Sequence, residues 1–297
     1  MKNCISNLVF ISNKIGNSPQ FVQGGGGNLS VKINEELMAI KASGFLLKDV
    51  SENNGLSFVN YSNIKKFINN NYEYENELSE NEFDDLLQKS KLKMSEFPDL
   101  KPSIETGFHS ILPQKYIIHT HSVFVNILCC SKEGEGVVKK LFPNACWVNY
   151  SNPGKGITFE IFKEVNKNYS NIIFMKNHGI IICSDDHLDA LMLHKFVNDK
   201  ITDYLNIKDD FKILDQDAKH SLNEIIFPDQ IVYLTSDNLK NSIAGKETVC
   251  AINYILKKIK ELNYNPDFID EKDVQYIKNE IEQYKSTYRK NKQDENI

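Results

Sequence analysis

Two histidines separated by one residue, His119 and His121, lie in an apolar segment whose composition predicts a β-strand. Because residues i and i+2 of a strand point to the same side, both imidazoles could bind one metal ion. A third histidine, His178, stands beside Gly179 at the end of another predicted strand, where its side chain can turn into a cleft. Three histidines with a fourth position open are typical of a catalytic zinc site. On spacing alone, a surface or core role for the histidine pair is the more common case.

A carboxylate near such a metal would complete a reactive site. Glu105 precedes His119 by fourteen residues and lies at the start of a short predicted helix that leads into the strand. Its position fits a general acid and base, and it equally fits a first-turn glutamate favoured by the helix dipole. His109, four residues after Glu105 on the same helical face, could orient that carboxylate or simply pack in the core.

Four consecutive glycines, Gly24 to Gly27, followed by Asn28, form a second candidate site. Such a loop lets the backbone approach a ligand and offers N–H groups to an anion, although a merely flexible loop is the simpler interpretation. It matches neither a Walker A loop nor the GxGxxG fingerprint. The Ser43-Gly44 pair and Ser103 could add hydroxyls and amides to the same cradle.

Composition limits the possible partners of the chain. It has 297 residues, a mass of 34.1 kDa, a formal net charge of −5 and a pI of about 5.9, which argue against general nucleic-acid binding. Arg289 is the sole arginine. An anionic ligand would therefore be held by backbone N–H groups, hydroxyls, lysines or a metal.

The six cysteines contain no CxxC spacing, and a disulfide framework is improbable in a chain of this size. The N-terminus offers a four-residue apolar run, too short for a signal-peptide core, and no segment approaches the length that crosses a bilayer. We therefore expect a cytoplasmic protein that does not bind membranes.

Alternating and helical hydrophobic patterns predict an α/β fold. Strands are expected at NLSVKI, LMAIKA, KYIIHTH, WVNY, NIIFM, IIICS and IVYL. Helices are expected behind Ser79 as N-cap, between Pro102 and Pro113, and over SVFVNILCC, FEIFKEVNK and residues 188–205, 243–262 and 274–284.

The helix expected over residues 188–205 is long and amphipathic, because its apolar residues fall at helical spacing: Leu188, Leu191, Met192, Phe196, Ile201 and Leu205. The last residues, 290–297, are expected to form a solvated tail. The chain shows no internal repeat and no clear linker. We expect a core over residues 1–206 and a mainly helical C-terminal extension over 207–297 packed on it.

Five segments, in order, resemble the motifs of the class II aldolase/adducin family: GGGGNLSVK, KASG, KPSIETGFHSILP, YIIHTHS and FMKNHGIII. They span roughly residues 23–205, and their order is far more specific than any one of them. The PSIET form, with FPDQIVYL after the long helix, resembles the rhamnulose-phosphate-aldolase-like branch, whose members are sometimes fused to a dehydrogenase. This sequence ends before any such domain would begin.

The resemblance implies a three-layer αβα fold around a mainly antiparallel sheet, and a role in carbohydrate metabolism as a lyase. By the same resemblance, one zinc ion would be bound by His119, His121 and His178, and Glu105 would be the catalytic acid/base. The substrate phosphate would contact the residues that match the family's phosphate site: Gly27, Asn28, Ser43, Gly44 and Ser103. A phosphorylated ketose would be cleaved to dihydroxyacetone phosphate and an aldehyde, in a homo-oligomer that is a tetramer in related enzymes.

One departure bears on the substrate. Several sugar-phosphate aldolases of this family have two serines before the glutamate, whereas here Ile104 takes the second position. A different anion is therefore an open alternative. So are a sugar-phosphate 4-epimerase or a dehydratase of the same family and a non-enzymatic adducin-like interaction module, whose relatives do not keep the zinc histidines. From the residues alone, a zinc hydrolase with Glu105 activating water also fits.

Overall fold

The computed structural model describes residues 1–214, 224–234 and 241–294, with side chains described up to residue 282. The side chains of the tail expected at 290–297 lie outside the described residues. Within these ranges, no helix is both long and apolar enough to cross a membrane.

One seven-stranded sheet forms the centre of the fold, with strand order β3-β2-β1-β4-β7-β6-β5. Every neighbouring pair is antiparallel except β5 and β6, which are parallel. This confirms the predicted mainly antiparallel sheet. The strands are β1 (Asn28–Lys32), β2 (Leu37–Lys41), β3 (Leu56–Asn60), β4 (Tyr116–Thr120), β5 (Cys146–Val148), β6 (Ile172–Met175) and β7 (Gly179–Ser184).

Helices cover both faces of the sheet. Before the extension they are α1 (Lys2–Gly16), α2 (Tyr61–Asn71), α3 (Glu80–Lys89), α4 (Thr106–Ile111), α5 (Val123–Cys129), α6 (Gly134–Leu141), α7 (Lys155–Lys167) and α8 (His187–Tyr204). The described part of the C-terminal extension contributes α9 (Asp229–Leu234), α10 (Ile243–Glu261) and α11 (Glu271–Asp294). The helical extension is therefore confirmed.

Two hydrophobic cores lie on opposite faces of the sheet, which makes the fold three-layered. Ile118 of β4 packs in the core formed with α1, α5, α8 and α10, whereas its neighbour Ile117 packs in the core formed with α2, α3, α4 and α7. In β7, Ile180 and Ile182 belong to the first core and Ile181 to the second. Successive strand residues point to opposite faces, so these apolar runs supply both cores.

Local signals account for several element boundaries. Ser79 caps α3 in a reciprocal capping box, because its hydroxyl accepts from the Glu82 N–H at 3.2 Å and the Glu82 carboxylate accepts from the Ser79 N–H at 2.8 Å. Asn60 ends β3 and caps α2 through its side chain. The predicted N-cap at Ser79 is thus confirmed.

One prediction about the elements is wrong. The segment IVYL is the body of α9 rather than a strand. The long helix predicted at 188–205 is confirmed as α8, but its buried face is only partly the apolar set: Ile201 and Leu205 are buried, whereas Leu188, Met192 and Phe196 are exposed. The other buried residues of α8 are Ala190, His194, Val197 and Asn198. Four elements had no sequence expectation: α1, α2, β3 and α6.

Candidate active site

The three histidines meet where β4 ends beside the turn between β6 and β7. His119 lies within β4, paired on one side with Asn28 of β1 and on the other with Ile181 of β7. His121 follows two residues later on the same face, and its Nε2 lies 3.0 Å from Nε2 of His119. His178 precedes Gly179 in the tight turn, which Asn177 enters with a φ of 51°. One nitrogen from each ring falls within 4.8 Å of the others.

The outer ring nitrogens show that this cluster fits a metal ion. His119 Nδ1 lies 3.0 Å from the Ile180 carbonyl, and His121 Nδ1 lies 2.6 Å from Asp229 Oδ2. Both partners accept hydrogen bonds, so each Nδ1 carries the proton of a neutral ring and each Nε2 presents a lone pair. Two lone pairs facing each other at 3.0 Å repel unless a cation lies between them. Zn–N bonds of about 2.0–2.1 Å require nitrogen separations of roughly this size.

Glu105 places a carboxylate at the same point. As the N-cap residue of α4, it is buried, with Oε1 3.0 Å from His178 Nε2 and Oε2 3.6 Å from His119 Nε2. Burial favours the neutral carboxyl, but the electrostatic attraction of the His119 ring and the hydrogen bond from His178 outweigh it and hold the pKa of Glu105 well below its usual range. The carboxylate is therefore ionised and adds negative charge to the site.

A buried hydrogen-bond chain holds Glu105 in place. Burial lowers the pKa of His109 to about 3, so its ring is neutral. Its Nε2–H donates to Asn28 Oδ1, which leaves Nδ1 to accept from the Ser30 hydroxyl at 2.7 Å. Asn28 Nδ2 then donates to Glu105 Oε2 at 2.5 Å. His109 thus contacts the carboxylate through Asn28 rather than directly.

Lys41, at the end of β2, brings a buried ammonium next to these carboxylates. It donates to the carbonyls of Gly25 at 3.1 Å and Phe45 at 2.8 Å. Burial lowers the pKa of Lys41 to about 8, although the nearby charges of Glu105 and Asp229 act to raise it. No sequence pattern distinguishes Lys41 from the other lysines of the chain.

A cavity of about 530 Å³ opens over the cluster, within the usual size range of small-molecule sites. His121, His178 and Glu105 line one part of it. The five residues expected to bind phosphate also line it: Gly27, Asn28, Ser43, Gly44 and Ser103. The structure therefore brings all the expected site residues together around one cavity, except that His119 lies beneath its wall.

Comparison with known proteins identifies the family of the chain. The profile of the class II aldolase and adducin N-terminal domain matches residues 8–199. The chain belongs to this family. A relative described as the uncharacterized oxidoreductase YuxG of Bacillus subtilis (strain 168) is 27% identical over 218 residues, which are 67% of this chain and 30% of that protein. This chain thus spans about a third of the length of that relative.

Solved structures of class II aldolase domains share the fold. The N-terminal class II aldolase domain of a conserved protein from Thermoplasma acidophilum superposes with a TM-score of 0.56 at 23% identity, covering 68% of this chain and 93% of that one. YgbL from Escherichia coli, a putative aldolase/epimerase/decarboxylase, gives a TM-score of 0.52 at 17% identity, covering 70% and 91%.

The glycine loop of this class II aldolase family member is used differently from the cradle that its sequence suggested. The Gly24 N–H donates to Glu247 Oε2 at 2.7 Å, the Gly25 N–H to Tyr233 Oη at 2.8 Å and the Gly26 N–H to the Gln23 carbonyl at 3.0 Å. These three N–H groups bind protein atoms. The loop is instead packed tightly, since a Cβ on Gly24 would lie 2.7 Å from the Ala244 Cβ.

Several residues of the site lie outside the matched segment 8–199, in the C-terminal extension. Asp229 and Val232 of α9 line the cavity, as do Tyr276, Ile277 and Glu280 of α11. The prediction of a strand at IVYL did not indicate that Asp229 and Val232 line the cavity. The motif FPDQIVYL was the one signal that could have drawn attention to them, because it contains both Asp229 and Tyr233.

Proposed function

We propose that this protein is a zinc-dependent aldolase that reversibly cleaves a phosphorylated ketose to dihydroxyacetone phosphate and an aldehyde. The observation that carries the proposal is the convergence of three imidazoles and one carboxylate at the wall of a cavity that fits a sugar phosphate. The family includes such aldolases, which supports the reaction class. Zinc held by His119, His121 and His178 would supply a Lewis acid for the ketose carbonyl and for the negative charge that develops on cleavage.

Glu105 would move the proton at the nucleophilic carbon. In the cleavage direction, the carbon–carbon bond breaks, the aldehyde oxygen loses its proton, and the carbon of the dihydroxyacetone phosphate half gains one. The carboxylate lies beside two of the imidazoles, and Asn28 holds one of its oxygens, so the proton would be carried by Oε1. General acid–base catalysis of this kind contributes about 10²- to 10⁴-fold in rate.

Tyr276 is the tyrosine among the described residues that line the cavity, and we assign it to the aldehyde oxygen. Burial raises the pKa of Tyr276, and the charge of Glu80 raises it further. Its phenol is therefore protonated at neutral pH and can donate a hydrogen bond to that oxygen in the synthetic direction.

The phosphate would lie against the part of the cavity formed by Gly27, Asn28, Ser43, Gly44 and Ser103. Three observations favour the Ser43 side of this group. Gly44 has open space around its Cβ position and a φ of +80°, whereas the amide of Asn28 is bound to Glu105 and His109. Ile104, which takes the place of the second serine of several family aldolases, also lines the cavity and offers no hydroxyl to a phosphate.

Metal analysis coupled to a retro-aldol screen tests the proposal. Purified protein is expected to contain one zinc per chain and to release dihydroxyacetone phosphate from at least one ketose 1-phosphate. A product that retains its carbon skeleton would instead identify a 4-epimerase or a dehydratase. Protein without metal would favour an adducin-like interaction module.

A Glu105→Gln variant tests the role of the carboxylate. It should bind zinc stoichiometrically but lose hydrogen–deuterium exchange at the nucleophilic carbon of dihydroxyacetone phosphate by about 10²-fold or more, as followed by proton NMR in D₂O. The exposed Glu77→Gln variant serves as the matched control. Full exchange in Glu105→Gln would remove Glu105 from the mechanism.

We also propose a cytoplasmic homo-oligomer with no nucleic-acid or membrane partner. All six cysteines are free thiols and five of them are buried, which suits a reducing compartment. The exposed apolar side chains of α8 provide a surface for self-association.

A further inference from the structure

We propose that Asp229 is a positioning residue for the metal ligand His121, so that the C-terminal extension forms part of the metal site. The inference rests on the proposed function, because it requires a metal at the histidine cluster. Asp229 lies thirty residues beyond the end of the segment that matches the family profile. The motif FPDQIVYL contains Asp229, but no sequence pattern places it beside His121.

The contact is short and enclosed. Asp229 Oδ2 lies 2.6 Å from His121 Nδ1, and the two residues are 8% and 4% exposed. A carboxylate at Nδ1 keeps the proton there, directs the Nε2 lone pair at the ion and makes the imidazole a more basic ligand. The loop opposite leaves room for this pair, since a Cβ on Gly26 would lie 2.5 Å from Asp229 Oδ2 and 2.8 Å from His121 Nδ1.

Among the described residues, the other two imidazoles have no such partner. His119 Nδ1 donates to the Ile180 carbonyl, a neutral group that belongs to the sheet itself. His178 Nδ1 is buried and has no hydrogen-bond partner within the described part of the chain. Of the three imidazoles, His121 is thus the one whose Nδ1 contacts a carboxylate, and that carboxylate comes from α9.

Further hydrogen bonds hold α9 and its neighbours against the site. The Gly25 N–H donates to Tyr233 Oη, one turn after Asp229. Asn177, next to His178, donates through Nδ2 to the carbonyls of Ile226 at 2.9 Å and Asp267 at 2.7 Å. The extension is therefore attached on both sides of the histidine cluster.

Metal binding and the docking of α9 should consequently be coupled. A metal that binds the docked form more tightly stabilises that form by the same free energy with which docking improves metal binding. Zinc should therefore slow amide hydrogen exchange in residues 225–234 as well as in the histidine segments.

The decisive measurement is the dissociation constant of zinc, obtained by competition with a chromophoric chelator. Asp229→Asn is nearly isosteric but removes the charge, and Asp229→Ala removes the contact. We expect zinc affinity to fall about 10-fold in the first and about 100-fold in the second, the range observed for such partners of metal ligands. Asp229→Glu, which keeps a carboxylate, should bind more tightly than Asp229→Asn.

Tyr233→Phe is the matched control, because it removes a contact of α9 without touching His121. Its zinc affinity should stay within about threefold of the wild-type value. Cobalt-substituted protein adds a second readout, since the visible d–d bands should shift in Asp229→Ala and not in Tyr233→Phe.

Each outcome bears on a different claim. Wild-type zinc affinity in both Asp229→Asn and Asp229→Ala would overturn the positioning role while leaving the proposed metal site intact. An equal loss in Tyr233→Phe would also overturn it, because docking alone would then explain the effect. Wild-type protein that binds no zinc would instead defeat the proposed function.

Discussion

Asn28 is the residue through which the buried polar groups of the site are connected. Its side-chain oxygen Oδ1 accepts a hydrogen bond from His109, and its side-chain nitrogen Nδ2 donates one to Glu105. Both partners are buried, so neither can exchange its bond to Asn28 for one to bulk water. Removing one member of such a network leaves the others desolvated and unpaired, which costs more than the net value of the hydrogen bond.

We therefore expect Asn28→Ala to lower the free energy of unfolding by about 2–4 kcal/mol, since it leaves two buried polar groups without a partner. Chemical denaturation in the presence of a chelator measures this without a contribution from metal. Asn70→Ala, an exposed change in α2, should stay within about 0.5 kcal/mol of the wild type. Equal effects of the two substitutions would contradict the network.

Lys32, the last residue of β1, makes stability depend on pH because its amino group is buried. It donates to the carbonyls of His109, Leu112 and Gln114. Burial lowers the pKa of Lys32 to about 7, with smaller effects from Cys183, Lys65 and Asp185. In the unfolded chain the same group titrates near 10.4.

Between these two pKa values the unfolded chain binds more protons than the folded protein, so stability should rise with pH. Near pH 8 the contribution of Lys32 is about 1 kcal/mol per pH unit, and Lys41 acts in the same direction. Chemical denaturation at pH 7.5 and 8.5 measures how much the free energy of unfolding rises over this pH unit. We expect that rise to be smaller in Lys32→Met than in the wild type by about 1 kcal/mol. The exposed Lys66→Met control should keep the wild-type slope, and equal slopes in all three proteins would disprove the effect.

At the level of elements, close packing of the glycine loop against α9 explains why position 26 is a glycine. Gly26 faces the Asp229–His121 contact, and an alanine there would force these two atoms aside. We expect Gly26→Ala to weaken zinc binding about 10-fold or more by the same competition assay. Gly136→Ala in α6 meets nothing within 4 Å, so it should leave zinc affinity unchanged and stabilise the helix by roughly 0.5–1 kcal/mol. Unchanged affinity in Gly26→Ala would contradict the packing argument.

The same scale shows what local patterns could and could not reveal. The strands β1, β2, β4, β6 and β7 follow from alternation or apolar runs, and α3 follows from its capping box. The segment IVYL has high β propensity but is helical, because tertiary contacts of Asp229 and Tyr233 with the glycine loop and His121 override local preference. The histidines and Glu105 were predictable from their spacing and order, whereas Asp229 and Lys41 act through contacts between distant segments.

For the whole molecule, the candidate site is formed by both the family domain and the extension. The three histidines lie within residues 8–199, whereas Asp229 and Tyr276 come from α9 and α11. A division into a core at 1–206 and an extension at 207–297 therefore describes the order of the chain better than it describes the site.

The exposed face of α8 predicts how copies of the chain associate. Leu188, Met192 and Phe196 are 47%, 60% and 51% exposed and follow one another at i, i+4 and i+8 on a single face. In an antiparallel pair centred on Met192, Leu188 of one copy meets Phe196 of the other. Asp189 and Lys195 each lie three residues from Met192, so the two-fold axis also brings opposite charges together. We therefore expect a second copy of this chain to pack against this face.

Met192→Lys places two like charges at the centre of that pair, and we expect it to halve the mass measured by light scattering after gel filtration, or to yield monomers. Monomeric helical content should be unchanged, because Met192 makes no buried contact that the fold requires at 60% exposure. Met94→Lys is the control, because it makes the same change at a half-buried loop position far from α8 in the chain. It should keep the oligomeric mass of the wild type. If the mass of Met192→Lys equals that of the wild type, α8 is not an interface between copies.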